Sequence, residues 1–157
     1  MRLTIPAAIL AALTVWPSSA GALDLDTIIL CGGRVMASGI VDYKNENDVS
    51  LLRGPYLIIN VAGYASLKDS NGRTPNDDEY DAFIDAVFEE TKDFGDRYNG
   101  RRKRWDSTAH EEIVRCYDAL SYFALTDGVA ILGTEDLFLA RLHAGMQIQD
   151  IREALSE

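Results

Sequence analysis

The chain has 157 residues, and its 25 acidic residues against 15 basic ones give it a formal net charge of −10. Long-range repulsion by so negative a chain argues against nucleic acid or an anionic membrane as a general partner. The length is that of one domain, and it is sufficient to bury a substantial apolar core.

The first 22 residues have the layout of a secretory signal peptide. A short positive start, Met1 and Arg2, precedes an apolar run over residues 3–16, and Ala20-Gly21-Ala22 offers a cleavage site of the A-x-A type. The apolar run is shorter than the roughly 20 residues of a membrane span. We therefore expect cleavage near Ala22 and an exported mature domain over residues 23–157, periplasmic or secreted. A cut two residues earlier and an uncleaved anchor are the alternatives.

The mature chain is expected to be more acidic still, with a net charge of −11, because the signal peptide removes Arg2. No segment after residue 22 is long and apolar enough to predict a transmembrane helix. The sequence contains two cysteines, Cys31 and Cys116, and each lies on the apolar face of a predicted helix. Because exported chains with two cysteines most often form one disulfide, we predict this pair to be bonded. Two separate buried thiols are the alternative.

The first helix of the mature domain is predicted to begin at Asp24 or Asp26, either of which can cap it, and to fray near Lys44. It contains several glycines, including Gly32 and Gly33. Each glycine weakens a helix by about 1 kcal/mol relative to alanine, so their number predicts that another element packs very close to this helix. A phosphate-binding loop is not indicated, because the G-x-G-x-x-G spacing is absent.

The next stretch, residues 48–69, permits two interpretations. Asp48 as a cap and Pro55 as a first-turn proline favour a helix. The β-branched residues within Pro55–Leu67 would also suit a buried strand. We predict a helix, because no partner strand is evident elsewhere and a lone strand cannot satisfy its backbone.

Residues 69–80 share two positions with a calcium loop of the EF-hand kind, but the similarity fails at the positions that carry the chemistry. In such a loop, position five requires a ligand, position six a turn glycine and position twelve a bidentate carboxylate. Here these positions hold Arg73, Thr74 and Tyr80. We predict instead a turn at Asn71-Gly72 and a helix that Thr74 caps, with Pro75 in its first position.

Three further helices and a short last one follow in the prediction. The third covers residues 75–98, and the fourth begins with a capping box between Thr108 and Glu111 and ends at a left-handed cap at Gly128. The fifth begins near Gly133, and Gly145 is expected to break it before a short last helix over residues 148–155. The predicted fold is therefore all-α, a small bundle of about five helices in one domain, stapled by one disulfide.

A basic-aromatic turn follows the third predicted helix. We define it by six residues, Arg97, Arg101, Arg102, Lys103, Arg104 and Trp105. Its five cations lie within eight positions of an otherwise acidic chain, so their mutual repulsion must be offset by something. Three interpretations remain open: charge balance with the acidic helices, a patch that binds a protein partner, and a site for an anionic surface.

Catalytic chemistry is thinly represented in the sequence. The two histidines, His110 and His143, belong to no H-E-x-x-H motif, and each is predicted to lie near a helix end. Exposed carboxylates such as Glu89 and Asp93 could serve acid–base catalysis but suit a solvated helix face better. We predict no catalytic residue, no metal site, no cofactor and no nucleic-acid partner.

The leading hypothesis is therefore a non-enzymatic binding protein, for instance an inhibitor or immunity-type protein. Its partner would be another exported protein, bound through the basic-aromatic turn. Two alternatives belong to other classes. One is a small enzyme that uses carboxylates, and the other is a ligand-carrying bundle. The carrier's apolar cavity would be lined by four aromatic side chains, Phe88, Tyr117, Tyr122 and Phe123.

Overall fold

The computed structural model describes residues 23–96 and 105–156. Within these ranges the chain forms five helices and no strand, and one disulfide joins Cys31 to Cys116, which confirms the predicted all-α class and the predicted pairing. The helices are α1 (Leu25–Glu46), α2 (Ser50–Asn71), α3 (Asp77–Gly95), α4 (Ser107–Phe123) and α5 (Thr134–Ala154). A π-helical turn (Ala124–Gly128) and a final turn (Val129–Ile131) prolong α4. The predicted signal peptide lies outside the described residues.

In the part of the chain that the structure describes, no helix combines the length and the apolar character that crossing a bilayer requires. The described helices are instead amphipathic, with a buried face and a polar one.

The helix starts follow local capping chemistry. The Asp24 carboxylate accepts a hydrogen bond from the Thr27 amide at 2.7 Å, as predicted for α1. At α3 the cap is Asn76, which forms a capping box with Glu79, and at α4 it is Asp106. The predicted caps at Thr74 and Thr108 are wrong. Asn76 caps α3 in place of Thr74, and Asp106 caps α4 in place of Thr108, each two residues from the predicted position.

The structure confirms that α2 is a helix, which rejects the strand interpretation of Pro55–Leu67. Pro55 lies in the second turn of α2, whereas we predicted a first-turn position. Its ring faces α1, since a Cβ added at Gly39 would lie 3.3 Å from Pro55 Cγ. A proline in the second turn has no backbone N–H to donate to the carbonyl four residues earlier.

Two predictions near the C-terminal end are wrong. Gly128 has φ of −58°, so it is not a left-handed cap, and the chain leaves the helix at Leu132 instead. A Cβ at Gly128 would lie 3.3 Å from Val61 Cγ1, so this glycine serves packing against α2. Gly145 does not break α5, which runs without interruption from Thr134 to Ala154.

The core is organised around α1 and α2. Helix α1 packs against α2, α3 and α4, and α5 makes its main contacts with α2. The predicted close approach at the glycines is present. A Cβ at Gly33 would lie 2.4 Å from Glu90 Cβ, and one at Gly32 would lie 3.3 Å from Val87 Cγ1. The glycines of α1 thus allow α3 to pack directly on its backbone.

Candidate functional site

The basic-aromatic turn lies almost entirely outside the described residues, which include only its last member, Trp105. Helix α3 ends at Gly95, and the described chain resumes at Trp105. The Trp105 ring is half-buried and packs on Phe94, with 5.0 Å between the ring centroids. Phe94 is itself 2% exposed. Phe94 and Trp105, which flank the segment that carries the five cations, are therefore in contact.

Arg34 of α1 contacts the same Phe94 ring. Its guanidinium lies 5.0 Å from the centre of the Phe94 ring, a geometry that favours a cation–π interaction. It also donates to Glu112 of α4 at 3.0 Å and lies 3.6 Å from Glu90 of α3. With a side chain that is only 12% exposed, Arg34 joins three helices. We call Arg34, Phe94, Trp105 and Glu112 the anchor cluster.

The disulfide lies next to the anchor cluster. Cys31 precedes Arg34 by about one turn of α1, and Cys116 follows Glu112 by about one turn of α4. Both cysteines are buried, and their Cα atoms are 4.8 Å apart. The covalent bond therefore fixes the separation of α1 and α4 about one turn from the contact between Arg34 and Glu112.

Of the four aromatic residues of the ligand-carrier alternative, Phe88 and Phe123 belong to the core or pack against it, whereas Tyr117 and Tyr122 are exposed. Phe123 is 2% exposed and belongs to the core, whereas its neighbour Tyr122 is 60% exposed. Tyr117 lines a groove of about 330 Å³ between α1, α2 and α4, together with Asp42 and Ile113. This arrangement gives the carrier interpretation no support.

The groove beside Tyr117 contains Asp42, a carboxyl group whose pKa is raised. Burial raises the pKa of Asp42, and the charge of Glu46 adds to that effect, while a hydrogen bond with Ser38 and the charge of His110 oppose it. His110 is exposed in the first turn of α4, as predicted.

His143 is not near a helix end, contrary to the prediction. It lies in the middle of α5, where its ring packs on those of Tyr80 at 4.4 Å and Tyr64 at 5.9 Å between centroids. Glu89 and Asp93 are exposed on α3. Among the described residues, no group of three or more histidine, cysteine or carboxylate side chains could hold a metal ion.

A closed ring of buried hydrogen bonds connects α2, α3 and α5, and the sequence did not reveal it. The Tyr80 hydroxyl donates to Asn60 Oδ1 and accepts from Gln147 Nε2 at 2.8 Å, while Asn60 Nδ2 donates to Gln147 Oε1 at 2.9 Å. Asn60 is fully buried. The sequence signal for this ring was the polar side chain of Asn60 within the apolar run of α2, since a buried amide requires hydrogen-bond partners.

A second buried polar centre joins the start of α5 to α2. The Asp136 carboxylate is 5% exposed and accepts hydrogen bonds from Lys68 at 2.6 Å and Thr74 at 2.7 Å. Burial raises the pKa of Asp136, but the hydrogen bonds from Lys68, Thr74 and the Gly133 amide outweigh it and leave the pKa below its ordinary value. The polar groups of both centres therefore have hydrogen-bond partners within the described chain.

Comparison with protein-family models, with curated proteins and with solved structures finds no match to this chain.

Proposed function

We propose that this chain is an exported, non-enzymatic binding protein that presents the basic-aromatic turn to another exported protein, for instance as an inhibitor or immunity-type protein. The observation that carries the proposal is the contact between Phe94 and Trp105, whose ring centroids are 5.0 Å apart. These two residues flank a segment with five cations. Binding residues are commonly placed on loops that a rigid scaffold positions.

The scaffold beneath the turn supports this proposal. Arg34 links α1 to Glu112 of α4 and to the Phe94 ring of α3, and the buried disulfide ties α1 to α4 one turn away. A platform that is fixed in this way reduces the conformational entropy lost on binding, which improves affinity. We assign Trp105 the role of anchoring the turn and its arginines the role of recognition.

The charge of the turn defines the partner it would suit. Five cations in an otherwise acidic chain create a local positive field, which would attract an acidic patch and accelerate association with it. Arginine is also among the residues that most often dominate the energy of an interface. The partner would therefore be an exported protein with a carboxylate-rich surface.

The test is capture from the native exported fraction with the mature chain as bait. The variant replaces Arg101, Arg102 and Arg104 by serine, and the control replaces Lys44, Lys92 and Arg115, three exposed cations elsewhere, by serine. We expect one exported protein to be retained by the wild type and the control and lost by the variant. Purified separately, that protein should bind the wild type with a Kd at least about 10-fold lower than the variant's.

Two results would contradict the proposal. Equal retention by the variant and the wild type would mean that the arginines do not contact the partner. Loss of stability in the variant, with no partner retained by either protein, would assign the cations to charge balance within the fold. A melting curve of each variant, recorded before capture, separates these outcomes from simple unfolding.

A further inference from the structure

The exposed face of α5 lies on a different part of the molecule from the anchor cluster. It forms a shallow depression of about 410 Å³ lined by six residues of this helix, Arg141, Leu142, Gly145, Met146, Gln149 and Asp150. All six are exposed, with Leu142 at 47% and Met146 at 55%. Helix α5 makes its main contacts with α2. Its own residues Ala140 and Ala144 are buried on the opposite face.

Gly145 has no internal reason to be glycine. The glycines at positions 32, 33 and 63 lie where another helix or side chain occupies the space of a Cβ. At Gly145, in the interior of α5, nothing among the described residues lies within 4 Å of an added Cβ. A glycine in a helix interior lowers helix stability relative to alanine. The space above Gly145 therefore suits a group from outside the chain.

The six residues form a self-complementary pattern. They pair around a point midway between Gly145 and Met146, so that Arg141 corresponds to Asp150, Leu142 to Gln149 and Gly145 to Met146. Two copies of α5 in antiparallel contact would thus place each arginine opposite an aspartate. Each methionine would meet the open space above a glycine. A twofold interface requires this kind of surface, in which the same patch is used on both subunits.

We propose that this face binds a second copy of the same chain through an antiparallel α5–α5 pair whose twofold axis passes between Gly145 and Met146. Packed helices lie about 8–10 Å apart, and a glycine at the crossing permits the closer end of that range. In both copies the side chains of Leu142 and Met146 become buried in the interface. The two Arg141–Asp150 ion pairs set the register of the two helices. One helix pair is a small interface, so the dimer is weak and depends on concentration.

The overall charge opposes this association but does not prevent it. Two acidic chains repel each other, although at 0.15 M salt the Debye length is about 8 Å and charges far from the contact are largely screened. The two arginine–aspartate pairs lie inside that distance. Association should therefore be measured near physiological salt, where distant repulsion is weak and the close pairs still act.

The experiment is sedimentation velocity of the mature chain from about 1 to about 500 µM, a range that covers weak dimers. Arg141→Glu would place two acids together and Asp150→Arg two arginines, so each single variant should associate at least about 10-fold more weakly than the wild type. An equimolar mixture of the two variants should recover association, because both contacts of the mixed dimer then have opposite charges. Lys92→Glu and Asp85→Arg on α3 are the matched charge controls and should associate like the wild type.

Gly145→Ala tests the close approach independently. Alanine should raise the melting temperature of the monomer by about 3 °C through helix propensity. It should also weaken self-association about 10-fold or more, because its methyl group fills the space of the partner's Met146. A wild type that stays monomeric over the whole range would overturn the proposal. So would single variants that associate normally, or a mixture that fails to associate.

Discussion

The Phe83 ring of α3 lies directly on the backbone of Gly63 in α2, so close that a Cβ added at Gly63 would be 2.2 Å from Phe83 Cε1. Alanine normally stabilises a helix relative to glycine by about 0.5–1 kcal/mol. At Gly63 we expect the opposite sign, because the methyl group would force the ring away. Gly63→Ala should lower the free energy of unfolding by about 1–3 kcal/mol.

The matched control for Gly63→Ala is Gly145→Ala in a dilute sample, since nothing described lies within 4 Å of that site. Urea unfolding followed by circular dichroism measures both variants. Stabilisation by alanine at Gly63 would show that α2 and α3 can separate without cost, contrary to the packing described above.

The glycines illustrate how far the sequence predicts the fold. Their number in α1 indicated that another helix packs close, and α3 does so at Gly33. Helical periodicity likewise predicted the all-α class, and two cysteines together with the expectation of export predicted the disulfide. These features depend on local pattern or on simple pairing. The identity of the close neighbour was not predictable, because it depends on contacts between residues more than 50 positions apart.

Features that depend on competition between neighbouring polar residues were predicted less well. Thr74 was a reasonable cap, but Asn76 caps α3, and Thr74 instead donates to Asp136, which lies 62 positions along the chain. The predicted helix break at Gly145 is wrong. Sequence alone does not show whether a glycine ends a helix or offers space on its surface. At the candidate site, the segment's charge was visible in the sequence, whereas the contribution of Arg34 was not.

The Cys31–Cys116 disulfide should contribute strongly to stability. It spans 85 positions, for which the chain-entropy treatment gives about 4–5 kcal/mol. A Cys31→Ser, Cys116→Ser double variant should lose about that amount or somewhat less in urea unfolding. Alkylation of the unreduced, denatured wild type should add no mass, since both sulfurs are bonded. Uptake of label at both cysteines would contradict the pairing.

The hydrogen-bonded ring of Asn60, Tyr80 and Gln147 should be costly to interrupt. Gln147→Leu would leave Asn60 Nδ2 with one partner fewer and the Tyr80 hydroxyl without a donor. We expect a loss of about 1–3 kcal/mol in the free energy of unfolding, because each buried polar group left unsatisfied carries a desolvation cost. The control is Gln149→Leu, measured in a sample dilute enough to stay monomeric; Gln149 lies two positions along α5, is exposed and donates to the exposed Glu153.

A double-mutant cycle sharpens this prediction. Tyr80→Phe removes the hydroxyl that joins Asn60 to Gln147, so Gln147→Leu should cost less in the Tyr80→Phe background than in the wild type. Additive losses would contradict the description of these residues as one network.

The Asp136 carboxylate should matter far more than the surface ion pairs. Asp136→Ala would leave Lys68, Thr74 and the Gly133 amide without their acceptor. We expect a loss of about 3 kcal/mol. Glu111→Gln is the control. It breaks an exposed pair with Arg115 at 3.4 Å, and it should change stability by less than about 1 kcal/mol.

The same carboxylate predicts a pH dependence on the acid side. The pKa of Asp136 in the folded chain lies below its ordinary value of 3.8, so its contribution is fully present above that pH. It should be lost as pH falls through the folded pKa. Asp136→Asn should therefore show a flatter decline in stability below about pH 4 than the wild type does. Parallel acid profiles for the two proteins would rule out this role.

Three buried tyrosines predict a complementary loss of stability at alkaline pH. Burial raises the pKa of Tyr56 and of Tyr80, and burial together with nearby aspartates raises that of Tyr64. Because the folded pKa values exceed the ordinary value of 10.0, ionisation of these groups costs no stability below that pH. Above it the unfolded chain ionises first, and each strongly shifted tyrosine should lower the unfolding free energy by about 1.4 kcal/mol per pH unit.

Tyr56 provides the clearest test of the alkaline effect, because its hydroxyl is buried and has no hydrogen-bond partner among the described residues. Tyr56→Phe should raise stability at neutral pH by about 1 kcal/mol, since no buried hydroxyl is then left unsatisfied. It should also reduce the slope above pH 10, which urea midpoints at several pH values would measure. Tyr122→Phe is the control, because Tyr122 is 60% exposed and stays solvated in the folded chain. An unchanged slope in Tyr56→Phe would mean that the hydroxyl reaches solvent in the folded chain.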